Sequence, residues 1–383
     1  MSTATELSPA PAHAAATYFG AVRDVVVLEL KQRLRSRGWY IMLAIWFALT
    51  GIVTALTWAG WESSRQARLG YNMPVDASLA INEGPGSLIF EVVLAFVLLF
   101  ALLVAPALSA NAVNGDRAGG TLAILQVTLL TPGQILWGKF FAAWIAALAF
   151  LVASAPFLVI GVSLGGMTPG HVVVALVMLA VELAVVCGLG VGISALAGRP
   201  LFSIVVTYLA VAGLVIGTLI AFALGTGVAQ GTVLANQQRY PAFEQESAQP
   251  PEQTLMPPEY TCVGPLEEMP AVRTERVAWL LAMNPFVVVA DAIPYPDRTN
   301  TTYGYPGGTI ESISQGARHA IAGPEGTYPC ANGEPKPYYL AQTTPLWPLG
   351  LVLQVALTGL ILWLGWCSLR TPATKLARGT RIA

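Results

Sequence analysis

Apolar positions in this chain gather into six blocks, each long enough to cross a bilayer core, which takes about 20 helical residues. The blocks are Trp39–Ala59, Leu88–Ser109, Phe140–Leu164, Val172–Leu196, Leu201–Gly225 and Leu346–Leu369. Ahead of the first, the pattern turns amphipathic: Phe19, Val22, Val26, Leu30 and Leu34 recur at helical spacing while Arg23, Lys31 and Arg35 take the other side. That spacing predicts a helix over residues 18–38 lying on a membrane surface and feeding the first span at the aromatic pair Trp39-Tyr40. The preceding residues, 1–17, are rich in Ala, Pro and Ser and read as a disordered tail without a cleavable leader.

Residues 226–345 break the apolar pattern. They hold 16 of the 27 prolines and 8 of the 12 tyrosines, a density that forbids long helices and favours turns and extended chain. Within them Val277–Ile293 is apolar enough to suggest a seventh crossing, but Asn284-Pro285 cuts it into pieces too short to span. A re-entrant or surface helical pair, with protein or water beside the break, is the expected form.

Composition agrees with the pattern: 55% of the residues are hydrophobic, 11% are charged, and mean hydropathy is +0.62. The fold class is therefore an all-α polytopic membrane protein with six transmembrane helices. Charge supplies the orientation. Arg23, Lys31, Arg33, Arg35 and Arg37 precede the first span, Arg117 and Lys139 flank the second and third, Arg199 follows the fourth, and Arg370, Lys375, Arg378 and Arg381 lie in a basic tail over 370–383. The positive-inside rule puts these sites, and both termini, on the cytoplasmic side of the inner membrane. The 226–345 segment then forms an external domain, where Cys262 and Cys330 share an oxidising compartment and are candidates for a disulfide. Cys187 and Cys367 read as small apolar residues within spans.

Gly133-Gln134-Ile135-Leu136-Trp137-Gly138-Lys139 has the skeleton of a phosphate-binding loop, yet Phe140 stands where a hydroxyl should hold magnesium. The residues between the glycines are bulky, no strand precedes them, and a membrane span follows, so the motif does not bind ATP. Its neighbourhood is more informative. Over residues 111–139 a span ends, a charged turn follows, then a short apolar stretch, a Thr-Pro break and the next span. Residues 121–130 are too apolar for water and too short to cross, so they need a protein groove or the bilayer surface.

The ordered set Asp116-Arg117, Gly120-Thr121-Leu122, Thr131-Pro132 and Gly138-Lys139 resembles the permease subunits of type-2 ATP-binding-cassette (ABC) exporters, although that family more often has Glu at the acidic position. The resemblance implies a cytoplasmic coupling helix gripped by a separate ATPase subunit, with Asp116, Arg117, Gly120, Thr121, Leu122, Leu125, Thr131, Pro132 and Lys139 at the contact. Asp116 and Arg117 would bond that partner or cap the helix start, and Pro132 would end the helix and turn the chain upward. Lys139 is open between a contact role and a snorkelling anchor. ATP and magnesium belong in the partner ATPase, and a second permease, the same chain or a homologous one, completes the assembly.

Glu182 lies mid-span in the fourth block, where an acid costs about 2.5–3.5 kcal/mol on insertion scales and so faces the bundle interior. It hydrogen-bonds a neighbouring helix or lines a translocation path. Glu91, one turn in from outside, can reach water. Glycine pairs four apart, Gly161/Gly165, Gly188/Gly192 and Gly213/Gly217, suit close helix packing. His13, His171 and His319 fall in three different regions, no nucleophile elbow is present, and the basic residues form a belt without interleaved aromatics. No metal centre, catalytic constellation or nucleic-acid surface is indicated. The reading is an exporter permease for a hydrophobic or amphipathic cargo (lipid, drug or peptide). Its rivals are a non-transporting assembly or sensor subunit with a ligand-binding external domain, and a secondary transporter, which would show an internal repeat.

Overall fold

The computed structural model describes residues 11–70, 85–120, 130–165, 167–239, 260–295, 308–336 and 344–370. Among them, six helices are long and apolar enough to cross a membrane. They are α2 (Arg37–Gly70), α3 (Gly86–Ser109), α5 (Pro132–Ser163), α6 (Pro169–Leu196), a composite of α7 (Pro200–Ala212) and α8 (Thr218–Val228) joined by a π turn, and α12 (Trp347–Leu369). Two smaller helices serve the same end of the bundle: α1 (Pro11–Leu34) before the first span and α4 (Asn114–Ala118) after α3. The helical backbone of α1 includes residues 11–17, assigned above to a disordered tail; residues 1–10 lie outside the described set.

Helix α6 is the axis of the bundle. Small residues let its neighbours close on it: a Cβ on Gly188 would meet Thr358 at 2.5 Å, one on Gly192 would meet Ile361 at 2.8 Å, and one on Gly190 would reach Ser109 and the backbone of Ala110. The Gly161/Gly165 pair lets the start of α3 approach in the same way, since a Cβ on Gly86 would clash with both glycine carbonyls. Gly213 and Gly217 behave differently: nothing lies within 4 Å of either missing Cβ, and the two bound the π turn Gly213–Gly217 instead of a packed crossing. A π turn re-aims backbone carbonyls out of the regular ladder, and here Asn284 Nδ2 donates to Val215 O at 2.8 Å and to Thr218 Oγ1 at 3.0 Å.

Asn284 belongs to the segment cut by Pro285. The break yields α9 (Ala278–Ala282) and α10 (Pro285–Ala292), with Asn284 as N-cap, its side chain accepting from Phe286 N at 2.9 Å. Both helices bury their apolar residues: Val288, Val289, Ala290 and Ile293 join the main core, while Ala278, Leu281 and Ala282 form a second cluster with Leu346. Gln354 of α12 reaches the break and donates to Met283 O at 3.1 Å.

Beyond the composite helix the chain forms an antiparallel hairpin, β1 (Gln230–Arg239) and β2 (Thr261–Val272), irregular between Ala235 and Gln237. Pro265 and Pro270 lie in β2, and β1 makes one further bridge, Ala235 to Ala331. The extended chain expected from proline density is present, but a long helix is too: α11 (Thr309–Thr327), which runs without proline to a kink at Gly323 and carries Pro324 just after it. Cys262 and Cys330 are disulfide-bonded, tying β2 to the turn after α11 across 68 residues of sequence. Closing a loop of that length stabilises by about 4 kcal/mol on chain-entropy reasoning. Replacing both cysteines by serine is expected to lower the unfolding midpoint of the hairpin and α11, with amide exchange accelerated in β1 and β2 ahead of the membrane helices; equal protection with and without the bond would contradict this.

Candidate functional site

Of the predicted contact residues, Asp116, Arg117 and Gly120 lie where α3 ends and Thr131, Pro132 and Lys139 where α5 begins, the two sets joined at one corner by the Lys139–Asp116 pair. After α3 the chain turns through Ala110–Val113 into the single turn of α4, whose first amides need partners. Ser194 Oγ of α6 accepts from Val113 N and Asn114 N, both at 3.1 Å. In return Arg117 of α4 donates to Ala197 O at 2.7 Å and to Ala195 O at 3.4 Å, covering the last carbonyls of α6, with Asn114 Oδ1 holding the guanidinium at 2.9 Å. Ser203 Oγ donates to Ala110 O at 2.5 Å and Ser368 Oγ to Ala195 O at 3.4 Å, so the starts of α7 and the end of α12 join the same corner. The chain leaves through Gly120, whose φ of +72° lies in the left-handed region that glycine enters without strain. Thr121, Leu122 and Leu125 lie outside the described residues.

The description resumes at Leu130, and here the start of the third span needs correcting. Pro132 is the first residue of α5, because its fixed φ suits the first helical position and it has no amide to satisfy; the helix expected before it lies outside the described residues. Thr131 is the N-cap: its hydroxyl accepts from Gln134 N at 3.4 Å, and its own N–H donates to Gln134 Oε1 at 2.7 Å. The third span thus begins eight residues before Phe140, and the whole Gly133–Lys139 motif is helical. No loop exists there to cradle a phosphate.

Each motif residue has another task. Gly138 admits α1, since a Cβ there would stand 2.6 Å from Val25 Cγ1. Lys139 is neither a snorkelling anchor nor free for a partner: its side chain is 1% exposed and its ammonium pairs with Asp116 of α4 and with Glu29 of α1, the latter at 2.6 Å. One buried cation therefore joins three elements. Arg33, one turn beyond Glu29, donates to Leu108 O near the end of α3 at 3.0 Å; burial pulls its pKa below the ordinary value, with Glu29 opposing.

The face α1 turns inward includes Val22 and Leu30 of the predicted stripe together with Val25, Glu29 and Arg33, while Phe19 (70% exposed) and Leu34 (51%), at the two ends of that stripe, point away. The displacement follows from the slot at Gly138 and from the ion pair. Glu29 was the signal missed, an acid interrupting an apolar stripe between Val26 and Leu30.

The opposite end of the bundle has three buried carboxylates, Glu91, Asp291 and Glu311. Glu91 does not reach water: its Oε2 accepts from Ile310 N at 3.0 Å and its Oε1 from Glu311 N at 3.4 Å, capping α11 from outside that helix. Asp291, the last acid of α10, accepts from Leu346 N at 2.5 Å, Trp347 N at 2.9 Å, Ser314 Oγ at 3.0 Å and Arg318 Nε at 2.6 Å. It thus holds the start of α12 and the middle of α11 together. Tyr295 sits among these acids, its phenol pKa raised by burial first and by Glu91, Glu311 and Asp291 in addition.

Glu182 is buried in α6, 1% exposed, beside Gln354 of α12. Neither of its oxygens has a hydrogen-bond partner, nor does Gln354 Oε1. It lies on α6 about three turns before Ser194, the residue of that helix that serves the corner. Among the described residues no group of His, Cys, Asp and Glu is placed to hold a metal.

A six-span bundle whose second and third spans are joined by a braced corner and a short apolar connection defines the membrane subunit of a transporter. The chain belongs to the ABC-2 family transporter proteins, whose family model matches residues 24–331. No curated protein matches the chain.

Removing the shared cation leaves two acids facing each other across the corner. Lys139→Met is expected to cost about 1.5–3 kcal/mol, the range of hydrogen bonds to charged groups, and Lys139→Arg less than half of that. Thermal denaturation of the purified chain measures both, and equal midpoints for the parent and Lys139→Met would remove the triad from the account.

Proposed function

We propose that this chain is the permease subunit of an ATP-driven exporter that moves a hydrophobic or amphipathic substrate, a lipid, drug or peptide, out across the cytoplasmic membrane. A separate ATPase subunit docks on the connection between α4 and α5, and a second permease completes the pathway. The observation carrying this reading is the corner itself. The apolar residues 121–130 leave from a left-handed glycine and return at a capped proline, and both ends are anchored to α6 and α1 by Arg117 and Lys139. Closure of the ATPase pair on bound ATP and magnesium would push this connection, and the anchors would pass the displacement to α3, α5 and α6 together.

Asp116 and Arg117 act in this scheme as braces and not as the gripping surface, which falls to Thr121, Leu122 and Leu125. Leu125→Asp is expected to abolish co-purification of the ATPase chain, or to leave ATP turnover that no longer drives transport, with the denaturation midpoint unchanged. Retention and coupling at parental level would overturn the proposal.

Glu182 carries the second part of the scheme. A path role predicts that Glu182→Gln transports with altered rate or selectivity while Glu182→Leu blocks transport without lowering stability. If Glu182→Leu instead raises stability and transports normally, the carboxyl is a burden of the fold and lines no path.

A further inference from the structure

We propose that the outward face of α1 and the corner joining it to α2 form a binding surface for the headgroups of anionic phospholipids. The run Lys31-Gln32-Arg33-Leu34-Arg35-Ser36-Arg37 places four cations within seven residues at the entrance to the first span. Lys31, Arg35 and Arg37 are exposed, and among the described residues none of them has an ion pair. Arg33 points inward to Leu108 O and leaves the remaining three to face out.

Helical spacing sorts the same face further. Residues 24, 27, 28, 31, 34 and 35 share the side turned away from α5, so Val27, Leu28 (50% exposed) and Leu34 alternate with Lys31 and Arg35. One acid, Asp24, lies on this side, nearly two turns before Lys31. Apolar side chains interleaved with long cationic ones suit the boundary between acyl chains and phosphates, where the stems of Lys and Arg lie on hydrocarbon and their heads reach the charge. A face meant for water would not carry the leucines, and one meant for hydrocarbon would not carry the cations.

The height of the run agrees. Glu29 pairs with Lys139, and the Trp39 ring meets Phe150 edge-on at 5.4 Å, so residues 31–37 lie alongside the part of α5 where its apolar sequence begins at Phe140. Tyr40 and Ile41, both exposed, follow immediately on α2. Cationic clusters at this position gain about 1 kcal/mol per Lys or Arg from an anionic leaflet. The inference stands apart from the identity of the ATPase and of the cargo.

The test uses the full-length chain in nanodiscs of phosphatidylcholine and phosphatidylglycerol in equal parts, released and analysed by native mass spectrometry for retained lipid. The parent is expected to keep phosphatidylglycerol in preference to phosphatidylcholine. Lys31→Gln/Arg35→Gln/Arg37→Gln is expected to reduce that preference on the order of 100-fold, and Arg35→Gln or Arg37→Gln alone about fivefold. These side chains make no internal contact, and Arg65→Gln, on the other side of the membrane, serves as the unchanged control. Equal retention of the two lipids, a preference that the triple variant keeps, or displacement of the lipid by inorganic phosphate would overturn the proposal. So would a preference that disappears when the ATPase subunit is co-purified, which would make this face a protein-docking surface.

Discussion

A helix that ends or breaks within a hydrocarbon slab leaves carbonyls and amides with no water to bond, and every other feature of this bundle is arranged around that constraint. The chain answers each break with a side chain borrowed from another element. The π turn in the fifth span presents Val215 O to Asn284, which simultaneously caps α10. The end of α6 gives its carbonyls to Arg117, the start of α4 gives its amides to Ser194, and Ala110 O is met by Ser203. The same economy holds at the opposite end, where Glu91 serves the first amides of α11 and Asp291 those of α12.

These pairings tie positions that the ladder of a single helix could not connect. Because these partners come from different elements, a displacement of one helix end is felt by its partner's helix. At the corner between α3 and α5, Lys139 extends this to three elements, and its near-complete burial means that separating Glu29 from Asp116 would expose an uncompensated charge to a low-dielectric interior. Bonds of this kind link the helix ends at the corner to one another, as the proposed transmission of a push from that corner requires.

The Gly133–Lys139 motif shows how short patterns mislead when their context is helical. Its first glycine follows the proline that starts α5, its last clears a slot for Val25, and its lysine is spent on carboxylates. Nothing in that set resembles backbone free to wrap a phosphate. What the ABC-2 assignment adds is the kind of system, an ABC transporter with an ATPase partner, which the proposal above places on the connection between α4 and α5.

From the sequence by itself came the six spans, the broken segment at Asn284-Pro285, and the pairing of Cys262 with Cys330 as a candidate. All of these follow from composition and local period, since a span must be apolar over about 20 residues and proline removes an amide wherever it stands. Only the tertiary structure decided which polar side chain meets which orphaned backbone group. Glu29 with Lys139, Arg117 with Ala197 and Glu91 with Ile310 are separated by 110, 80 and 219 residues respectively. No local pattern encodes a partner at such distance, because the choice is made by how closely helices approach, and that depends on where a glycine removes a Cβ on the opposing surface. The same reason explains the misplaced face of α1, whose inward residues were selected by a slot and a buried cation on α5 and not by its own hydrophobic period.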